Sequence, residues 1–252
     1  MLLAIDVGNT NTVLGLFDSE ELVRSWRIKT DARATGDEYL LKFRGLLSDG
    51  PQITAMALCS TVPAVLHEMR LMLEQYYPDT ETLIVEPGIK TGVPIKVDNP
   101  REVGADRIVN TLAVYERYGG PAIVVDFGTS TNLDVVSESG EFLGGALAPG
   151  IQISLDALAA RAAQLRKVEL VAPRSPIGKN TVEALQSGAI YGFAGQVDGL
   201  VRRISEVLGP PRAVVATGGL AEVVIPESQT ITHHDPDLTL HGLRAMFDRN
   251  CQ

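Results

Sequence analysis

Cysteine is scarce: Cys59 and Cys251 are the only two in 252 residues, one inside an apolar run and one close to the C-terminus. Two such positions make no disulfide framework. Long apolar runs are missing as well, and none approaches the ~18 residues that a membrane span needs. The opening Met1-Leu2-Leu3-Ala4-Ile5-Asp6 has no basic stretch and meets an acid at once, so no signal peptide is expected and the expected location is cytoplasmic. Positive charge is in deficit, with 22 Lys and Arg against 31 Asp and Glu and a net charge of −9. This argues against a general nucleic-acid surface but leaves a locally bound nucleotide open. Histidine is equally thin. His233-His234 with Asp235 has no second His or Cys pair at ligand spacing, and adjacent side chains on an extended chain point to opposite faces. A surface loop is expected there, and His67 and His241 read as incidental helix residues. Nucleophile elbows, Walker loops and Cys–His pairs are absent.

What remains is an ordinary globular composition, 45% hydrophobic and 21% charged, at a length comfortable for two domains. The chain is organised around Ala4-Ile5-Asp6-Val7-Gly8-Asn9-Thr10-Asn11-Thr12-Val13-Leu14-Gly15, a strand, a tight polar turn and a second strand. The device returns as Val124-Val125-Asp126-Phe127-Gly128-Thr129-Ser130-Thr131-Asn132-Leu133-Asp134, with Asp126 standing 120 positions after Asp6. Two copies of one hairpin predict a duplicated domain. Glycine in such a turn admits positive φ and close ligand approach. Successive backbone N–H groups form an anion-binding nest, and Thr10, Thr12 and Thr129 can add hydroxyl donors. Asp6 and Asp126 would repel a phosphate directly, so a cation between carboxylate and phosphate is their natural use, and Mg²⁺ suits a site with few carboxylates. A single copy would read as a hairpin satisfying itself; two copies point to a nucleotide.

In each half, three strands are followed by alternating helix and strand, which predicts two mixed sheets with helices on their faces. The expected division is 1–118 and 119–252, with a ligand in the cleft between. Leu22 to Ile28 alternates as a third strand. Thr35 and Glu38 form a capping box for a helix burying Tyr39, Leu40 and Phe43. Ile53 to Ser60 reads as a buried parallel strand. Glu102 to Tyr118 reads as a helix with Ile108, Leu112 and Tyr115 inward, stopped by Gly119-Gly120. Further helices are expected from about Ser154 to Arg166, from Asn180 as N-cap to about Leu208 with Glu183 at the capping-box position, and over Leu238 to Arg249. Ala213 to Thr217 is a strand running into Gly218-Gly219, either a plain turn or a place where a flat base nears the backbone.

Gly104-Ala105-Asp106-Arg107 puts an acid beside a base at a helix start. The two point about 100° apart, so they are no simple ion pair. Asp106 either complements the helix dipole, with Arg107 solvated, or takes a substrate hydroxyl while Arg107 meets a carboxylate or phosphate. The residues alone leave both readings open.

Together, Asp6-Val7-Gly8-Asn9-Thr10, Gly104-Ala105-Asp106-Arg107, Asp126-Phe127-Gly128-Thr129, Gly178-Lys179-Asn180-Thr181 and Thr217-Gly218-Gly219 resemble type III pantothenate kinases, in order and over essentially the whole chain. The resemblance implies the actin-like ATPase fold of two duplicated ribonuclease H-like domains. It also implies ATP-dependent phosphorylation of pantothenate to 4'-phosphopantothenate, the first step of coenzyme A biosynthesis. By motif position, Asp6, Val7, Gly8, Asn9, Thr10, Asn11, Thr12 and Val13 would bind the ATP phosphates, Asp6 through Mg²⁺ and water. Thr129 would contact ATP, and Gly218 and Gly219 would pack adenosine. Gly104, Ala105, Asp106, Arg107 and Thr181 would bind pantothenate, with Asp106 as proton acceptor, and Asp126 would hold K⁺ or NH₄⁺. A homodimer is implied, with a site that includes both chains. The rivals are a non-catalytic nucleotide-binding accessory regulator, against which the retained Asp106 and Arg107 speak, and a sugar or small-acid kinase of the same superfamily.

Overall fold

The structure, a computed structural model, describes residues 1–48, 50–162 and 168–251. The chain runs β1 (Leu2–Val7), β2 (Asn11–Asp18), β3 (Glu21–Lys29), α1 (Gly36–Leu47), β4 (Ala55–Ser60), α2 (Pro63–Tyr76), β5 (Glu81–Ile84) and α3 (Ala105–Tyr118). It continues β6 (Ala122–Phe127), β7 (Ser130–Val136), β8 (Phe142–Pro149), α4 (Ile151–Arg161), α5 (Thr181–Leu208), β9 (Ala213–Thr217), α6 (Ala221–Val224), β10 (His233–His234) and α7 (Leu238–Asn250).

The strands form two five-stranded sheets, ordered β3-β2-β1-β4-β5 and β8-β7-β6-β9-β10. Each centres on a strand that pairs antiparallel with its hairpin partner and parallel with a later strand: β1 with β2 and β4, β6 with β7 and β9. The duplication expected from the hairpins is therefore a duplication of topology. Parallel neighbours leave the central strands buried on both faces, which is why β1 and β6 are apolar throughout except for one acid each. That acid is Asp6 in one and Asp126 in the other, at the same position in strands of identical burial pattern.

Two compact units result: Met1–Val93 with Asn99–Ala113 and Leu238–Gln252, and Pro94–Asp98 with Val114–Asp237. In the first, Leu3, Ile5 and Val7 pack with Leu14 and with Tyr39, Leu40, Phe43, Val65 and Met69 of α1 and α2. Thr35 and Glu38 close the expected capping box at the start of α1, which contributes on the order of 1 kcal/mol. Helix α7, though last in the chain, packs on β1, β2 and β4. Gly15 permits this, since a Cβ there would lie 2.7 Å from Leu240, and Gly242 lets α7 also approach α3, where a Cβ would lie 2.4 Å from the Val109 carbonyl oxygen. Gly15 pairs with Ala4, so α7 covers the sheet face opposite Leu3 and Ile5. Asp6 points to that same face. In the second unit, Ile123, Val125, Phe127, Leu133, Val214 and Ala216 pack on Ala189, Ala194, Val197 and Val201 of α5, again leaving Asp126 on the opposite face.

Several expectations need correction. Helix α3 begins at Ala105, after a separate 3₁₀ turn at Pro100–Glu102, because Val103 is extended. It buries every residue from Val109 to Val114, while Tyr115 is exposed and lays its ring where a Gly140 side chain would stand. Helix α4 starts three residues early, and the part expected beyond 162 lies outside the described residues. His233 and His234 form a short exposed strand parallel to β9 rather than a loop.

Candidate active site

The first hairpin turn is closed by Gly8 N–H donating to the Asn11 carbonyl at 3.0 Å, with Asn9, Thr10 and Asn11 exposed. Positive φ is not what glycine supplies here: neither Gly8 nor Gly128 is in the left-handed region. The space is. A Cβ on Gly8 would come within 3.2 Å of the Asn11 oxygen. Val7 is fully buried, so only its backbone could meet a ligand. Thr12 corrects the sequence reading: it is also fully buried and its Oγ1 lies 2.9 Å from Thr30 Oγ1, so its hydroxyl faces the interior and not a phosphate.

Asp6, the penultimate residue of β1, is partly buried. Parallel pairing sets it opposite Cys59 of β4, whose thiol donates to Asp6 Oδ1 at 3.3 Å. Burial, and then the nearby Asp6 and Asp106 charges, push the Cys59 thiol well above its ordinary value, so it stays a protonated donor. Asp6 itself is pushed up to about 6, first by burial and also by the Asp106 charge, against the downward pull of the Cys59 hydrogen bond. Asp106, in the first turn of α3, is raised by burial and drawn back by the Arg107 N–H and guanidinium. Its Oδ1 accepts from Arg107 N–H at 2.9 Å and folds back over Gly104, where a Cβ would lie only 2.5 Å away. Ala105 and Arg107 flank it on the helix. Asp6, Cys59 and Asp106 thus form one cluster inside the first unit. Burial thus disfavours charge on both carboxylates, and a cation or a hydroxyl donor would offset that cost.

The second unit repeats the arrangement around Asp126. Gly128 N–H donates to the Ser130 carbonyl at 3.0 Å and Gly150 N–H to the Thr129 carbonyl at 3.1 Å. Thr217 pairs with Asp126 across the parallel strands as Cys59 does with Asp6. The next residue, Gly218, turns with φ +91°, and a Cβ there would stand 2.5 Å from Asp126 Oδ1 and 2.7 Å from the Phe127 backbone. Glycine is required here on both counts. Gly219 follows it, and Leu220 N–H closes back on the Phe127 carbonyl at 3.3 Å. Asn132, paired with Asp126 across the hairpin, is buried and its Oδ1 has no hydrogen-bond partner among the described residues. Thr181 opens α5, exposed, behind Asn180, whose side chain caps Glu183 N–H at 3.0 Å. Glu183 does not complete a capping box; its carboxylate holds Lys179 N–H and Arg174 instead.

The sequence reading missed Cys59 and Thr30. Neither carries a motif, and their partners are set by pairings with distant parts of the chain. Among the described residues no group of three or more His, Cys, Asp or Glu is placed to hold a metal, and no helix is long and apolar enough to cross a membrane.

Known proteins resemble this chain in sequence and in fold. Residues 2–203 match the family described as type III pantothenate kinase. A type III pantothenate kinase of Salinispora arenicola is 66% identical over 99% of this chain and 100% of its own length. One of Frankia alni is 65% identical over the same shares. Among solved structures, the activator of 2-hydroxyisocaproyl-CoA dehydratase from Clostridium difficile has a TM-score of 0.57 at 15% identity, covering 98% of this chain and 93% of that one. A ROK hexokinase from Thermus thermophilus has a TM-score of 0.52 at 15% identity, with 97% of each chain covered. These likenesses give the fold, two duplicated units of the actin-like ATPase class, and the close relatives give the family: the chain belongs to the type III pantothenate kinases.

Proposed function

We propose that this protein transfers the γ-phosphoryl group of ATP to the primary hydroxyl of pantothenate, giving 4'-phosphopantothenate and ADP in the cytoplasm. Besides family membership, one observation carries the reading. The acid of the phosphate-type hairpin, Asp6, and the acid of the Gly-Ala-Asp-Arg block, Asp106, sit close enough for the charge of one to raise the other. A nucleotide held by the hairpin would therefore have an acceptor site beside it.

In this reading the backbone from Asp6 to Val13, with the exposed Thr10 hydroxyl, holds the phosphates, and Thr129 adds a contact. Asp6 fits a mostly hydrated Mg²⁺: it is a single carboxylate, raised by burial, with a cation as its natural counter-charge. When bound, Mg²⁺ spreads the negative charge of the transferring group. Gly104 to Arg107 and Thr181 position pantothenate, Arg107 matching its carboxylate. Asp106 orients the primary hydroxyl and takes its proton as the oxygen–phosphorus bond forms and ADP departs. Its upward shift makes it a better acceptor than a solvated aspartate. Asp126 holds the monovalent cation, K⁺ or NH₄⁺, and the unpartnered, buried Asn132 Oδ1 on the neighbouring strand supplies a fitting second oxygen. Gly218 and Gly219 lie against the adenosine. A homodimer completes the reading, and its contact would cover some of the apolar residues that the second unit exposes, such as Leu147 and Ile177.

ADP release measured with and without pantothenate, in K⁺ and in Na⁺ buffers, tests the reading. Turnover should require pantothenate and be faster in K⁺. Pantothenate-independent turnover, or none, would refute it.

A further inference from the structure

We infer that Thr30 is a positioning residue for the nucleotide, the clamp that sets the first hairpin turn in its phosphate-binding conformation. The inference rests on reading residues 8–12 as the phosphate cradle. Thr30 follows β3, is only 8% exposed, and grips the turn at two points. Its N–H donates to the Thr10 carbonyl at 3.0 Å, and its Oγ1 donates to the Gly8 carbonyl at 2.8 Å. A hydroxyl has one proton to give. Because Thr30 gives its own to Gly8, the 2.9 Å contact with Thr12 Oγ1 must run from Thr12 to Thr30. A directed chain results, from Thr12 through Thr30 to the Gly8 carbonyl, and both hydroxyls are buried.

A planar trans peptide points its C=O and N–H in opposite directions. The Gly8–Asn9 bond is trans, the one cis bond among the described residues being Gly120-Pro121. Drawing the Gly8 carbonyl towards Thr30 therefore turns the Asn9 N–H away from it, on the exposed side of the turn. Pinning the Thr10 carbonyl fixes the next-but-one peptide plane in the same way. The donors of an anion nest are thus aimed before any anion arrives, which lowers the ordering cost of binding.

The second hairpin serves as an internal control. Gly150 follows β8 as Thr30 follows β3, and its N–H makes the equivalent bond to the Thr129 carbonyl. A side chain is impossible there, since a Cβ would lie 2.4 Å from Thr129 oxygen and 2.6 Å from Gly128 oxygen. Thr131, which occupies the place of Thr12, is fully buried and its Oγ1 has no partner among the described residues. The hydroxyl chain belongs to the first cradle alone.

The test is calorimetric titration of the full chain with Mg·AMPPNP, and separately with pantothenate, for Thr30→Val, Thr30→Ser and Thr12→Val. Thr30→Val removes the hydroxyl at nearly constant volume and frees the partly buried Gly8 carbonyl from its donor, so nucleotide affinity should fall about tenfold. Pantothenate affinity should hold. Thr30→Ser should stay near wild type, and Thr12→Val, which leaves the Thr30–Gly8 bond intact, should lose less than Thr30→Val. Thr30→Ala replaces the valine variant should that one not fold. Wild-type nucleotide affinity in Thr30→Val, equal losses in Thr30→Val and Thr30→Ser, or a parallel loss of pantothenate affinity would overturn the clamp. A wild-type protein that binds no nucleotide would overturn the functional reading itself.

Discussion

Replacing Asp106 with Asn should lower pantothenate-dependent ADP release by about a hundredfold to ten-thousandfold, the usual range for a positioned proton acceptor. The amide keeps the shape and can still accept from Arg107 N–H, so the first turn of α3 should survive. What it loses is the ability to take the hydroxyl proton. Nucleotide affinity should be retained or improved, because Asp6 no longer feels the Asp106 charge. Thermal stability should not fall. Burial raises Asp106, so in the folded protein its ionised form is the unfavourable one, and a neutral amide removes that cost at neutral pH. Steady-state kinetics with a nucleotide titration and a melting curve would check all three. Full activity in Asp106→Asn would remove this residue from the mechanism.

Asp6→Asn should abolish nucleotide turnover and make the protein more stable. Asp6 moves from an ordinary 3.8 to about 6 on folding. Its folded pKa is the higher, so the carboxylate costs nothing below about pH 4, where both states are protonated. The cost grows as pH rises between about 4 and 6 and is constant above. At 1.36 kcal/mol for each pH unit between the two values, it reaches about 3 kcal/mol at most. Melting temperatures of Asp6→Asn and wild type should therefore coincide near pH 4 and separate by about 5 °C or more at pH 7 and above. A gap that is the same at both pH values would mean that Asp6 is not a strained carboxylate in the resting enzyme. A carboxylate kept at such a cost to stability is what a functional position, rather than a structural one, would retain.

Much of this was legible in the sequence because its signals are local. Asp-x-Gly at the end of two apolar strands betrayed the duplication. Thr35 with Glu38 marked a helix start, and Gly119 marked an end, its N–H closing on the Tyr115 carbonyl at φ +76°. Gly-Ala-Asp-Arg marked a helix start with an acid in its first turn, which α3 has at Asp106. What stayed hidden depends on pairings across the chain. Cys59 meets Asp6 through a parallel register between strands 53 residues apart. Helix α7 returns to the first sheet after the whole second unit, a path that periodicity cannot encode. Thr12 looked like a phosphate donor because its type is right, but the alternation of the strand turns it inward to Thr30. Tyr115 had the spacing of a core residue, but α3 is enclosed over Val109 to Val114 and the ring falls just past that stretch.

The most direct test of the account is a crystal structure with Mg·AMPPNP and pantothenate bound. It should place the nucleotide phosphates on the backbone of residues 8–12, with the primary hydroxyl of pantothenate within hydrogen-bonding distance of the Asp106 carboxylate. A complex in which that hydroxyl lies away from Asp106, or the phosphates away from the first hairpin, would contradict it.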